Sequence, residues 1–147
     1  MMNEIAVRRV DPTSRLDLIS QMLGTNVVTR YAEMMDICWK LSGEVWSGYV
    51  DDELICCWGL IPPSVFSTTA YLWMWHSEKV VEHQFVFIRR SQIEVGRMLE
   101  RYASITGHAE IGNARGIRWL RWLGAVFDAP DGPLLPFVIR RTDGRPN

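Results

Sequence analysis

Apolar and polar positions along this chain change period several times, and each change marks an element. "IAVRRV" (5–10) alternates weakly and stops at Asp11-Pro12, which predicts a short first strand. "DPTSRLDLISQMLG" (11–24) then opens like a helix, with Leu16, Ile19 and Leu23 at helical spacing and Gly24 as its stop. A second helix is predicted over Thr29–Leu41, with Tyr31, Met34, Met35, Cys38 and Trp39 inward, and Ser42-Gly43 ends it. "EVWSGYV" and "LICCWGLI" flank the acidic turn "DDE" and read as a hairpin, because both are rich in β-branched and aromatic residues. Pro62-Pro63 closes that strand, and "SVFSTT" is a loop. "AYLWMWH" (70–76) is almost continuously apolar, which predicts a strand buried on both faces.

Residues 81–103 return to helical spacing. Phe85, Ile88, Val95, Leu99 and Tyr102 lie inward, while Arg89, Arg90, Arg97 and Glu100 are left for solvent. "ITGHAEI" is a strand, "NARGIRWLRWLG" a helix, and "AVFDA" and "LPFVIRR" are strands around the turn "PDGP". The predicted order is β-α-α-β-β-β-α-β-α-β-β. No linker or repeat divides it, so residues 1–147 are expected to form a single domain, with 143–147 a loose tail.

The helix at 113–124 carries three arginines (Arg115, Arg118, Arg121) and two tryptophans, a combination that could suit a membrane surface or a nucleic acid. Its own pattern points to packing instead. Asn113 is a good N-cap, Ile117, Leu120 and Leu123 with Trp119 form one stripe, and Gly124 can close the helix. The arginines then line a wetter face, with Trp122 the most exposed large side chain. Net charge agrees: 16 basic and 17 acidic residues give −1, so nothing global favours nucleic acid. Fourteen of the sixteen basic residues are arginine, which reflects base composition as readily as phosphate recognition.

Three cysteines (Cys38, Cys56, Cys57) show no zinc spacing, and the adjacent pair points to opposite faces of one strand. A reduced, intracellular chain is expected. The charged N-terminus lacks the apolar core of a signal peptide, and no apolar run approaches the ~20 residues of a membrane span.

The element order, with Asn113 and then Gly124 eleven residues on, resembles the GNAT (Gcn5-related N-acetyltransferase) superfamily. "FIRRS" (87–91) followed by "N…IRWLRWLG" is similar to the GNAT-like proteins of short-tailed bacteriophages, a group of acetyltransferases or internal virion and assembly proteins. The likeness covers roughly residues 44–128. It implies an α/β (α+β) GNAT-like fold, a central mixed, mostly antiparallel sheet flanked by about four helices. It also implies acetyl-CoA as donor and either an amine substrate or phage structural proteins as partners, with a homodimer as a further arrangement. The place would be the host cytoplasm or the virion, with no nucleic acid and no membrane span.

The resemblance also supplies candidate site residues. Met74 and Trp75, at the end of the fourth strand, and Asn113, after the fifth, would face the pantetheine arm of CoA. Arg89 and Arg90 would meet its phosphates, and His76 or Glu110 would act as base, with Glu78 and His108 as further candidates. Two departures stand against catalysis. "WHSEKVVEHQFVFIRR" has no glycine where the family's pyrophosphate loop has several, and it carries Glu78 and Glu82. Leu120 stands where many of these enzymes have an acid tyrosine, and neither Tyr71 nor Tyr102 matches that position. The alternative reading is therefore a catalytically degenerate virion or assembly protein without CoA chemistry.

Overall fold

Asp51 and Asp52 both take positive φ (50° and 63°) and close the hairpin between β2 (Glu44–Val50) and β3 (Glu53–Ile61). Two left-handed residues in succession twist a two-residue turn the way the flanking strands twist, and aspartate tolerates that conformation better than most side chains. The acidic turn predicted from sequence is this one.

The computed structural model describes residues 4–14, 17–19, 21 and 36–141. Within them lie seven strands: β1 (Ala6–Arg9), β2, β3, β4 (Thr69–His76), β5 (Ser104–Glu110), β6 (Val126–Phe127) and β7 (Leu134–Arg140). They form one mostly antiparallel sheet in the order β1-β2-β3-β4-β5-β7-β6. Helix α1 includes 17–19 and 21, and α2 includes 36–41. Helices α3 (Lys79–Glu82), α4 (Gln84–Arg101) and α5 (Ala114–Trp122) follow. The predicted order is observed, with one additional short helix, α3, between β4 and β5. The chain divides into two compact units, Met1–Ile61 with Trp73–Phe87 and Pro62–Leu72 with Ile88–Asn147.

In the first unit, β1 and β3 both pair antiparallel with β2. Strand β3 is buried on both faces, so Cys56 and Cys57 are both enclosed although they point opposite ways. Trp73 stands 6.0 Å, centroid to centroid, from Trp39 of α2. Its indole N–H donates to Ser42 Oγ at 2.7 Å, and that hydroxyl donates in turn to Cys38 O at 2.7 Å. Gly59 makes room for this arrangement: a Cβ there would lie 2.5 Å from Trp73 Nε1 and 2.8 Å from Ser42 Oγ. Of the inward residues predicted for α2, Trp39 is buried and Cys38 half-buried, while Tyr31, Met34 and Met35 lie outside the described residues, as does the tail at 143–147.

In the second unit, β4 runs parallel to β5 over Thr69–Tyr71 against Ser104–Thr106, β5 pairs antiparallel with β7, and β7 with β6. Both crossovers, through α4 and through α5, advance in the same direction along the sheet. Right-handed connections therefore place both helices on one face. Trp119 of α5 donates its indole N–H to Ser91 Oγ of α4 at 2.9 Å, joining the two helices. Under them lie the buried positions Ile105, Gly107, Ala109, Phe137 and Ile139, and the alternate positions face the other way.

Three expectations need correction. The helix expected over 81–103 is two: a four-residue turn, α3, precedes α4. Phe85 is 73% exposed, because α4 starts at Gln84 and its buried stripe runs through Phe87, Val95 and Met98. Strand β4 is fully buried only at Ala70 and Trp73; Tyr71, Leu72, Met74 and Trp75 are half-buried. An unbroken apolar run marks a strand well but does not report how completely each face is covered.

Candidate functional site

The face of the second unit turned away from α4 and α5 carries its polar chemistry. Register places Tyr71 beside Thr106, His108 beside Pro136, and Glu110 beside Leu134, all on that face. Tyr71 Oη lies 3.0 Å from His108 Nδ1, and the two rings are 5.6 Å apart at 46°. Below this pair, Thr69 Oγ1 and Ser104 Oγ share a 2.7 Å hydrogen bond. His108 and Glu110 are exposed, Tyr71 half-buried. One residue, Ala109, stands between His108 and Glu110, whose backbone positions are about 7 Å apart along β5.

Asn113 is the N-cap of α5, its Oδ1 accepting from Gly116 N at 3.0 Å, as its sequence position predicts. At the far end Gly124 takes φ 101°, with Gly124 N donating to Arg121 O and Ala125 N to Leu120 O, a Schellman closure. Leu120 is buried at 6% exposure, Ile117, Trp119 and Leu123 are half-buried, and Arg115, Arg118 and Arg121 are exposed. Position 120 is therefore core.

Arg90 does not stand free to meet a phosphate. Its Nε donates to Glu94 Oε1 at 2.9 Å, and Arg97 shares that oxygen at 3.1 Å. Arg89 is exposed on the same helix. Met74, Trp75 and His76 end β4 within the first unit; Met74 and Trp75 are half-buried, and exposed His76 makes a long contact from Nδ1 to Ser77 O, 3.3 Å. Alternation along the sequence joins His108 and Glu110, whereas Tyr71 matches no family position. Pairing β4 with β5 is what joins it to His108.

Whether the residues present fit a CoA-type donor turns on Ser77–His83, and there they do not. A pyrophosphate site needs backbone N–H groups turned outward and little negative charge. Here Lys79 N donates to Ser77 Oγ, Val80 N to Ser77 O, Val81 N to Glu78 O and His83 N to Lys79 O, at 3.0–3.2 Å. The turn consumes these donors itself. The one lysine of the turn, Lys79, has its Nζ 3.8 Å from Glu53 and 3.6 Å from Glu82, and exposed Glu78 precedes it in the chain.

Among the described residues no group of three or more His, Cys, Asp or Glu side chains could hold a metal ion, and no helix is long and apolar enough to cross a membrane. Burial pushes the Cys56 and Cys57 thiols up to about 12, which removes both as nucleophiles near neutral pH.

No protein-family model matches the chain, and no curated protein matches it. Solved structures do. A spermidine N-acetyltransferase, a chimera of SpeG from Vibrio cholerae and hSSAT, superposes with a TM-score of 0.70 at 10% identity, over 95% of this chain and 97% of that one. Ribosomal-protein-S5-alanine acetyltransferase from Vibrio fischeri gives 0.70 at 9%, over 99% and 98%. A Bacillus subtilis acetyltransferase in complex with CoA gives 0.64 at 9%, over 95% and 99%. At such identities the likeness establishes the fold, which is that of these acetyltransferases.

Proposed function

We propose that this chain is a GNAT-type, acyl-CoA N-acyltransferase-like protein that moves an acyl group onto an amine. The observation that carries the reading is the Tyr71–His108 pair with Glu110 beside it, on the open face next to the parallel β4–β5 ladder. An amine arrives as ammonium and must lose a proton before it can attack. The Glu110 carboxylate supplies charge to attract the ammonium. In the tautomer that donates Nδ1–H to Tyr71 Oη, His108 keeps the Nε2 lone pair for the departing proton. His76 is the second candidate base. Solved structures of the same fold include a spermidine N-acetyltransferase, which supports a small amine as acceptor.

Acetyl-CoA is the donor that the family resemblance implies. Met74 and Trp75 of the first unit, or Asn113 of the second, are proposed for its pantetheine end, and Arg89 is the more exposed of the two arginines proposed for its phosphates. Its diphosphate does not fit Ser77–His83.

The Ser77–His83 turn and the buried Leu120 favour a second reading, the degenerate one: a GNAT-fold virion or assembly protein, phage-encoded and without CoA chemistry. Acetyl transfer to a panel of small amines and peptide N-termini, followed by mass spectrometry, separates the two. Product above the no-protein blank supports the transferase. Its absence across the panel, in protein that melts cooperatively, supports the scaffold.

A further inference from the structure

We infer that the Ser77–His83 turn is closed to a nucleotide diphosphate, so that a donor serving this chain is an acyl thioester recognised through its acyl-pantetheine end rather than its diphosphate. The inference rests on the acyltransferase reading and narrows its donor.

Two independent features of the turn carry it. The first is geometric. The N–H groups of Lys79, Val80, Val81 and His83 all bond within the turn, and Phe87 N bonds back to His83 O at 3.0 Å. A diphosphate would have to break these bonds to reach these N–H groups, so from them it would obtain little net hydrogen bonding. Glycines would let such a loop open outward, and Ser77–His83 has none.

The second feature is electrostatic. Glu53, Glu78 and Glu82 outnumber Lys79 three to one, and Lys79 is already shared between Glu53 and Glu82. A diphosphate with its own negative charge meets repulsion here. The acyl-pantetheine arm is neutral and meets none. Both features therefore penalise the same part of a CoA-type donor and leave the other part alone.

Calorimetric titration of the full chain with acetyl-CoA, S-acetyl-pantetheine and ADP tests this. The expected result is that the two acetyl thioesters bind within about threefold of each other and that ADP does not compete. Raising the salt should leave acetyl-CoA binding unchanged or tighten it, because screening weakens repulsion. Glu78→Gln with Glu82→Gln should improve acetyl-CoA binding about threefold to tenfold and leave acetyl-pantetheine unchanged. Acetyl-CoA binding tenfold or more tighter than acetyl-pantetheine, displaced by ADP and weakened by salt, overturns the inference. If neither thioester binds, the closed turn stands and the acyltransferase reading fails, so the two failures are distinct.

Discussion

Tyr71 Oη and His108 Nδ1 meet at 3.0 Å across two strands that run parallel, a contact that joins residues thirty-seven apart in sequence. The pair fixes which imidazole nitrogen faces solvent. In the tautomer that serves a base, Nδ1 carries the proton and Nε2 is open. Nitrogen-detected NMR should find His108 protonated at Nδ1 in the native protein and a tautomer mixture in Tyr71→Phe. An unchanged tautomer in that variant would mean that the phenol does not orient the ring. The stability cost should stay near ~0.5–1.5 kcal/mol, that of one hydrogen bond.

Helix α5 should respond as a packed and capped element. Leu120→Ala is expected to cost ~2–5 kcal/mol by chemical denaturation, since the side chain is enclosed. Asn113→Ala should cost ~0.5–2 kcal/mol, the worth of its bond to Gly116. Arg118→Ala should change stability by no more than ~1 kcal/mol. Leu120→Tyr places a phenol in the core, so it should lower the melting temperature without raising acyl transfer.

Gly107 tests the packing directly beneath the open face. A Cβ there would stand 2.5 Å from the Phe137 ring and 3.1 Å from the Leu72 carbonyl oxygen. Phe137 can yield somewhat, the backbone cannot. Gly107→Ala should therefore destabilise by ~1–3 kcal/mol in denaturant melts. The paired variant Gly107→Ala with Phe137→Leu should recover part of that loss.

The thiols give a pH prediction with a definite sign. Burial raises Cys56 and Cys57 from 9.0 to about 12, so the folded protein holds these protons longer than the unfolded chain. Their contribution is complete below pH 9 and is lost as pH climbs toward 12, so melting temperature should fall over that interval. At pH 8 a thiolate-directed reagent should leave both unmodified in native protein and label both after denaturation.

Much of the fold was legible because its signals are local. Alternation in "EVWSGYV" and "LICCWGLI", the Asp51-Asp52 turn, and the Asn113-to-Gly124 span each read correctly from neighbours in the chain. Phe85 misled because helical spacing finds a stripe but not where the helix begins. Strand β4 misled because an apolar run is silent about which face another element covers. The candidate site was half legible. His108 and Glu110 alternate visibly along β5, whereas Tyr71 joins them only through the β4–β5 register, which no short window of sequence contains. The self-satisfied N–H groups of Ser77–His83 are foreshadowed by the missing glycines, although their partners depend on how the turn folds.

The central claim is that an amine loses its proton to His108 during acyl transfer, and the most direct measurement is turnover of the full chain on an acetyl thioester with spermidine, read as acetylated product by mass spectrometry. The account predicts product above the blank, a ~10²–10⁴-fold loss of turnover in His108→Ala, and little change in its melting temperature. Turnover unchanged in His108→Ala, or no acetylated amine from correctly folded native protein, would contradict it.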